Sequence, residues 1–162
     1  FNGQHYSTNR SDGRDLRMES MGGGRDNVRS MLKETGLSQA GQAAVMGNIH
    51  VETGGTYNHQ QKQHGSGPGY GLFQMEAPMK TAYDKFCEET GRQDSAKSQI
   101  DFVRREIESG KHIGAGNAAK IRAAFDSGDV KKATETFCDL FERPSLPHKQ
   151  KRIDIVQEEA RK

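Results

Sequence analysis

Glu52 and a polar loop beyond it are the parts of this sequence best suited to chemistry on a bound substrate. Glu52 ends a helical pattern, and paired glycines follow it at positions 54 and 55. Residues 69–74 then place Tyr70 and Gln74 in a glycine-rich turn. A carboxyl group at a helix end that faces a polar wall can protonate the oxygen of a sugar–sugar bond. The pattern therefore favours a glycosidase.

The side of the helix that carries Glu52 is partly apolar. Asn48 and Ile49 precede Glu52 by four and three positions and so share its side, and Val45 lies nearly in line with them. A substrate that covers Glu52 would remove its hydration, and desolvation raises the pKa of a carboxyl group. A general acid must retain its proton near neutral pH, so this environment suits that role. The alternative is an ordinary solvated acid at a helix end.

Three side chains close to Glu52 in sequence are candidates to contact a sugar. Gln74 offers both a donor and an acceptor to an N-acetyl group or a hydroxyl, and Tyr70 stands before it across Gly71. Tyr57 can stack on a sugar face. The alternative for each aromatic ring is a place in the hydrophobic core.

A metal site is the competing interpretation of the same region. His50, Glu52, His59 and His64 are residue types that bind zinc, as in a peptidase of the cell wall. Their spacing is not that of an HExxH motif, and residues two apart on a helix point away from each other. We therefore expect no metal and no other cofactor.

Helical periodicity continues through most of the chain and predicts the elements that position these residues. Capping residues mark several ends, with Ser38 and Asp129 at helix starts and Gly91 and Gly110 at helix stops. The helix after Ser38 has a stripe of small residues, so we expect it to be central. The predicted segments are one from Val28 to Thr35, one following Ser38, those at about 77–89, 95–109 and 116–126, one from Asp129 through Phe141, and a last one around Ile153.

Residues 54–74 interrupt the helical pattern with glycines and polar residues. We expect a short irregular β-hairpin or a pair of loops here. The predicted fold class is therefore α+β, mostly helical, with a small β-hairpin lobe after the second helix. Residues 1–25 are too polar to bury a face and are expected to form an arm or linker, which leaves 26–162 as one domain.

The distribution of charge and apolar residues argues against two classes of partner. The 24 basic and 22 acidic residues are interspersed and give a net charge of +2, whereas nucleic-acid-binding domains concentrate basic residues. No apolar run is long enough to span a membrane. Residues 1–6 lack the features of a signal peptide, and without an initiator Met we expect a piece of a longer or processed protein. Cys87 and Cys138 are expected to be small buried hydrophobes rather than a disulfide.

Two motifs together make a resemblance to one protein family specific. The chain has AVMGNIHVETGG at 44–55 and GYGLFQ at 69–74, and this pair resembles the helix end and loop of the phage tail lysozyme family. The resemblance covers about residues 27–158 in order. More distantly, the chain is similar to lytic transglycosylases and goose-type lysozymes, which pair one catalytic Glu with a GLMQ-like loop. Later segments that also resemble the family are SQIDFV at 98–103, ATETF at 133–137, and FERP at 141–144 followed by Arg152.

The resemblance implies a lysozyme-like fold and assigns roles to the motif residues. It implies that Glu52 is the catalytic acid and that Tyr70 and Gln74 line the sugar cleft. Thr53 and Gly71 belong to the same two motifs and are assigned to substrate binding with them.

The chain departs from the family pattern at two positions. Met75 stands where the family often has Trp, which removes one sugar-stacking contact. Thr53 stands where Ser is commoner, and it keeps the hydroxyl group.

The identity of a second carboxylate stays open at this point. Glu76, Asp84 and Asp101 are candidates, and glycosidases place their two acids ~5–9.5 Å apart according to mechanism. The alternative uses Glu52 alone, with the substrate's N-acetyl group stabilising the oxocarbenium-like centre. Attack by water would then make the enzyme a lysozyme. Attack by the 6-hydroxyl of the muramic sugar would make it a lytic transglycosylase.

On the family resemblance we predict a glycosidase that cleaves the β-1,4 bond between N-acetylmuramic acid and N-acetylglucosamine in bacterial peptidoglycan. The expected setting is a phage virion, within a larger tail or internal ejected protein that acts in the cell wall and periplasm. No nucleic-acid or membrane partner is expected. A non-catalytic wall-binding module is a further alternative, which would need Tyr57, Tyr70 and Gln74 but no acid on an apolar helix side.

Overall fold

A computed structural model describes residues 20–63, 67–144 and 148–160, and this part of the chain contains seven α-helices and one π-helix. The α-helices pack around α2, which contacts α6 and α7 most extensively. The helices are α1 Arg25–Lys33, α2 Gln39–Thr53, α3 Met79–Thr90, α4 Ala96–Ser109, α5 Ala115–Asp126, α6 Val130–Phe137, the π-helix Cys138–Glu142, and α7 Lys149–Ala160.

Helix α2 is central, as its stripe of small residues predicted. Ser38 caps its start by accepting a hydrogen bond from the backbone N–H of Gly41 at 3.0 Å. A β-carbon at Gly47 would lie 2.2 Å from Cγ2 of Val156 and 2.9 Å from the backbone oxygen of Arg152. Glycine at position 47 therefore lets α7 approach the backbone of α2 closely.

The predicted caps at Gly91, Gly110 and Asp129 lie at helix ends in the structure. The helix predicted from Asp129 through Phe141 is divided, because α6 ends at Phe137 and a π-helix follows it. The backbone N–H of Arg143 closes that wider turn by donating to the oxygen of Cys138 at 2.8 Å. Such single π turns occur frequently at functional sites.

The predicted β-hairpin lobe, and with it the α+β fold class, is wrong. No strand occurs among the described residues, and those between 54 and 75 that the structure describes form only isolated antiparallel bridges. The bridges pair Lys62 with Tyr70 and Tyr70 with Met75. The backbone at two residues does not have the conformation of a strand, because φ is 51° at Tyr57 and 50° at Gln74, far from extended values. A continuous ladder of hydrogen bonds between strands is interrupted at these positions.

Glutamine side chains form hydrogen bonds with backbone groups that, in a hairpin, would bond to the neighbouring strand. The side-chain oxygen of Gln63 accepts from the N–H of Gly69 at 2.9 Å. The side-chain nitrogen of Gln74 donates to the backbone oxygens of Gln61 and Gly71 at 3.0 and 2.9 Å. Side-chain amides offer the backbone an alternative to a ladder, and the segment folds as an irregular loop.

Most of the predicted N-terminal arm lies outside the described residues, so the boundary at residue 26 stays a prediction. Its described end is attached to the helices. The N–H of Gly24 donates to the oxygen of Tyr57 at 2.9 Å, and the N–H of Ala96 donates to the oxygen of Met21 at 3.2 Å.

Cys87 and Cys138 form no disulfide, and Cys138 is buried within the π-helix while Cys87 is half-buried. Among the helices that the structure describes, none has the length and apolar character needed to cross a membrane.

Candidate active site

Glu52 forms an ion pair with Arg152 where α2 meets α7. The Nη2 atom of Arg152 lies 2.9 Å from Oε2 of Glu52, and the two side chains are only 1% and 14% exposed, respectively. Nη1 of Arg152 donates a second hydrogen bond to Oδ1 of Asn48 at 2.9 Å. Asn48 is fixed in turn, because its Nδ2 donates to the backbone oxygen of Ala44 at 2.8 Å. One turn of α2 thus orients the guanidinium group that contacts Glu52.

Burial and charge act in opposite directions on the Glu52 carboxyl group. Burial is the largest effect and raises the pKa of Glu52 above its ordinary value of 4.5. The Arg152 guanidinium lowers that pKa through its charge and its hydrogen bond, and Glu76 raises it. Glu52 therefore holds its proton more strongly than a solvated acid, next to a cation that stabilises the carboxylate left after proton transfer. Both properties suit a proton donor.

A cleft of about 480 Å³ lies between residues of the polar loop, the segment before α5 and the π-helix. Among the described residues Glu52 does not line it, but Glu76 and Glu142 do, and both interact electrostatically with the Glu52 carboxyl group. The charge of the Glu52 carboxyl group is therefore coupled to those of two acids that line the cleft. The lining residues are Phe73, Gln74, Met75, Glu76, Ala77, Pro78, Met79, Lys111, His112, Ile113, Phe141, Glu142 and Arg143.

Glu142, the last residue of the π-helix, is an acid that sequence reasoning missed. The residue is partly exposed, but its Oε2 atom is enclosed and has no hydrogen-bond partner among the described residues. Burial raises the pKa of Glu142 well above 4.5, and the nearby Glu52 raises it further, against the opposing charge of Arg152. The sequence feature that could have pointed to Glu142 is its position in FERP at 141–144, a segment that resembles the family.

Gln74 and Tyr70 occupy different positions in the loop. Gln74 lines the cleft, and its side-chain nitrogen is bonded within the loop. Tyr70 does not line this cleft, and its hydroxyl donates to Oδ2 of Asp94 at 2.5 Å. Its half-buried ring has Nζ of Lys80 at 5.1 Å from the centroid.

A clamp between α4 and the loop, formed by Gln99 and Asp94, was also missed. Oε1 of Gln99 accepts from the N–H of Leu72 at 2.9 Å, while its Nε2 donates to the oxygen of His59 at 2.8 Å and to Oδ1 of Asp94 at 2.9 Å. Gln99 is fully buried, so it holds the loop backbone at His59 and at Leu72 from the interior. The contacts of Gln99 with Leu72 and His59 join residues 27 and 40 positions apart, so the sequence carried no local signal for them.

Tyr57, Thr53 and Gly71 are placed where they support the backbone. Tyr57 is 0% exposed, and its hydroxyl lies 3.1 Å from Nδ1 of His50. Thr53 is also buried, and its hydroxyl donates to the oxygen of Ile49 at 2.8 Å while accepting from the N–H of Tyr57 at 3.0 Å. Gly71 has φ of 83°, and a β-carbon there would lie 2.6 Å from Oε1 of Gln99. None of the three lines the cleft.

The three acids that the sequence offered as a second carboxylate, Glu76, Asp101 and Asp84, lie in different parts of the structure. Glu76 is exposed on the cleft wall and influences Glu52. Asp101 lies on α4 in ion pairs with Arg92 and with Nζ of Lys97, the latter at 3.3 Å. Asp84 pairs with Lys80 at 2.7 Å on α3. Of these three acids, only Glu76 lines the cleft.

The histidines considered as zinc ligands are not gathered into a site within the described part of the chain. No group of three or more His, Cys, Asp or Glu residues there could hold a metal ion. His50 contacts Tyr57, and His59 is fully buried with neither ring nitrogen hydrogen-bonded to a described residue. His64 lies outside the described residues.

Comparison with known proteins adds an independent observation. Residues 25–161 match the model of the family described as phage tail lysozyme. A search of curated proteins found no match to the chain.

Proposed function

This chain belongs to the phage tail lysozyme family, and we propose that it cleaves the β-1,4 bond between N-acetylmuramic acid and N-acetylglucosamine with Glu52 as the general acid. Membership supports a lysozyme-like enzyme that degrades peptidoglycan, in the context of a phage tail. The observation that carries the residue assignment is the largely buried Glu52 carboxyl group, held by Arg152 and coupled electrostatically to acids of the cleft.

In the proposed reaction, Glu52 donates its proton to the glycosidic oxygen as the bond from that oxygen to C1 of the muramic sugar breaks. The bonding electron pair goes to the departing oxygen, and an oxocarbenium-like centre develops at C1. Arg152 stabilises the Glu52 carboxylate that remains. Water then attacks C1 and returns a proton to Glu52, which restores the starting state. General acid catalysis of this kind contributes about 10²–10⁴-fold to a rate.

The cleft supplies the contacts that would position the sugar chain. Gln74 uses its side-chain nitrogen within the loop, so its carbonyl oxygen is the atom available to accept from a sugar N–H or O–H. Phe73 and Met75 lie in the same wall, but both are almost fully buried, so they support it from behind. We assign substrate positioning to this loop wall, with Tyr70 supporting it through Asp94.

The biological setting is the second part of the proposal. We place the enzyme in a larger protein of a phage virion, where it opens peptidoglycan during entry, acting in the cell wall and periplasm. The family membership supports this setting.

Mass spectrometry of fragments released from purified peptidoglycan tests the function. The proposal predicts new reducing-end muramic acid from the parent protein, unchanged by EDTA. The Glu52→Gln variant should release no such ends, while Glu88→Gln, an exposed acid that does not line the cleft, should match the parent. Ends carrying 1,6-anhydromuramic acid would instead identify a lytic transglycosylase. Peptide cleavage that is lost in EDTA would contradict a glycosidase.

A further inference from the structure

His112 is a side chain of the cleft that the proposed reaction does not use. It lies in the turn between α4 and α5, and it lines the cleft together with Gln74 and Glu76. Its side chain is 36% exposed, so part of the imidazole ring is open to a ligand. A polar ring in that position can form a hydrogen bond with a molecule that occupies the cleft.

A buried acid holds the His112 ring in place. Glu106 on α4 is 3% exposed, and its Oε2 atom lies 2.7 Å from Nδ1 of His112. The Oε1 atom of Glu106 accepts from the backbone N–H of His112 at 2.9 Å and from that of Ile113 at 3.3 Å. The His112 ring also packs against the ring of Phe102, with centroids 6.1 Å apart. These contacts fix both the turn and the orientation of the imidazole.

The contact with Glu106 determines which nitrogen of the His112 ring carries the proton. A carboxylate only accepts hydrogen bonds, so Nδ1 of His112 donates to Oε2 of Glu106. In a neutral imidazole the other nitrogen is then an acceptor. None of the described residues bonds to Nε2 of His112. The ring therefore offers one unused acceptor, on the side away from the Nδ1 bond.

We infer that His112 is a substrate-binding residue whose Nε2 atom accepts a hydrogen bond from an O–H or N–H group of peptidoglycan, with Glu106 as its positioning residue. Gln74 offers a second acceptor in the same cleft, because its side-chain nitrogen is bonded within the loop and its oxygen remains. Sugar hydroxyls, N-acetyl groups and peptide amides all carry such donors, so this chemistry fits both the glycan and the stem peptide. The inference deepens the proposed function and rests on it.

Two substitutions at position 112 test this inference, because Asn and Gln each reproduce one nitrogen of the ring. Asn keeps a donor near the place of Nδ1 and has no atom at the place of Nε2, where Gln puts an amide. We expect His112→Asn to raise KM for a soluble peptidoglycan tetrasaccharide about three- to tenfold with kcat nearly unchanged, as for one lost neutral hydrogen bond. His112→Gln should restore much of that loss. Equal KM in His112→Asn and the parent would overturn the inference.

The same measurement on tetrasaccharides with and without their stem peptides identifies the donor. A rise in KM on both substrates assigns the donor to the sugar, whereas a rise confined to the peptide-bearing substrate assigns it to the peptide. Glu88→Gln is the matched control for acid-to-amide changes, since this exposed acid does not line the cleft, and it should keep the parent KM on both.

A substitution of Glu106 separates positioning from packing. In Glu106→Gln the amide oxygen can accept from the backbone while the amide nitrogen donates to Nδ1 of His112, which moves the ring proton to Nε2. Nitrogen-15 NMR of the imidazole reports this tautomer at about pH 8, where a histidine ring is ordinarily neutral. We expect Nδ1–H in the parent and Nε2–H in Glu106→Gln, together with the rise in KM seen in His112→Asn. An unchanged tautomer with parent KM would show that Glu106 does not position the ring.

The spectrum of an unaltered His112 decides the case in which variants at position 112 do not fold. Adding the tetrasaccharide to Glu52→Gln, which should not consume it, is expected to shift the Nε2 signal of His112. A parent ring protonated at Nε2, or a signal that does not move at saturating ligand, would overturn the inference. Failure of the proposed function is distinguishable, because it appears as full cleavage by Glu52→Gln. Failure of this inference leaves cleavage dependent on Glu52 and KM independent of His112.

Discussion

At the scale of single residues, the site depends on two opposing effects on one carboxyl group. Burial raises the pKa of Glu52, and the Arg152 guanidinium opposes that rise while stabilising the ionised form. Without burial, Glu52 would ionise at lower pH. Without the Arg152 cation, the buried carboxylate left after proton transfer would be energetically unfavourable. The position of Arg152, bonded to both Asn48 and Glu52, sets this balance.

Replacing Arg152 with Met, which keeps an apolar chain of similar length, should change activity and its pH dependence together. Loss of the cation raises the pKa of Glu52, so the alkaline limb of kcat/KM should move to higher pH. The maximum rate should fall, because the carboxylate formed on proton transfer has lost its partner. Steady-state rates across pH 4–10 measure both effects, and an unmoved limb would contradict the assigned role of Arg152.

Above the pKa of Glu52, where the pair is ionised, the same variant should lower the free energy of unfolding by about 3 kcal/mol, because breaking a buried pair leaves a charge uncompensated. The folded-state pKa of Glu52 is raised, so the pair is ionised only above that pKa and its contribution is lost as pH falls through it. Urea denaturation should therefore show a smaller difference at pH 4. The double variant Arg152→Met with Glu52→Gln should recover part of the loss. Equal losses in the single and double variants would show that the pair is not coupled.

Sequence reasoning proposed Glu52 as the acid but did not predict the groups that shift its pKa. Glu52 stands in a motif with local signals, a helix end followed by glycines. Arg152 is 100 positions away, and only the packing of α7 on α2 brings the two together. Glu142 was missed because an unpartnered oxygen is a property of the packed structure.

At the scale of elements, the contact between α2 and α7 determines whether Arg152 reaches Glu52. Gly47 makes this contact possible, since a β-carbon would collide with Val156 and with the backbone of Arg152. A flexible side chain can move out of the way, but the backbone of a packed helix cannot do so cheaply. The size of the residue at position 47 therefore sets the distance between α2 and α7, and with it the position of Arg152 relative to Glu52.

Gly47→Ala should destabilise the protein by about 1–3 kcal/mol, as overpacking of a core does. Activity should fall as well, because displacing α7 moves Arg152 away from Glu52. Thermal denaturation and peptidoglycan clearance measure the two effects. Gly116→Ala on α5 is the matched control, since a β-carbon there meets no described atom within 4 Å. The control should gain about 0.5 kcal/mol from reduced backbone freedom, and equal effects of the two changes would contradict the packing argument.

The accuracy of sequence prediction at this scale depended on how local each signal was. Caps such as Ser38 and Gly110 act through neighbouring backbone groups, so the helix ends they mark could be predicted. Residues 54–74 were predicted from their glycines and turn residues to form a short irregular β-hairpin or a pair of loops, and the hairpin was carried into the predicted fold class. Their backbone bonds instead go to the side chains of Gln63, Gln74 and Gln99, and Gln99 belongs to another helix. The π turn at Cys138–Glu142 leaves the apolar pattern of a helix unchanged and gave no warning.

At the scale of the whole molecule, three distant parts of the chain meet around one carboxyl group. Helix α2 supplies Glu52 and α7 supplies its partner Arg152, and the π-helix supplies Glu142, whose charge is coupled to that of Glu52. Four phenylalanine rings from the loop, α5, α6 and the π-helix pack together and fix the cleft wall against these helices. The rings are those of Phe73, Phe125, Phe137 and Phe141, with centroid distances of 4.9–6.3 Å. The family motifs suggested candidate residues, and the tertiary packing determines how these residues are arranged.

The most direct test of the central claim is the rate at which Glu52→Gln releases fragments from whole purified cell walls. Gln keeps the shape of the acid and its bond to Arg152 through the amide oxygen, but it has no proton to give. We predict a loss of at least about 100-fold in the initial rate, with parent-like circular dichroism and parent-like sedimentation with the walls. Clearance by a folded Glu52→Gln protein at the parent rate would contradict the assignment of Glu52 as the proton donor.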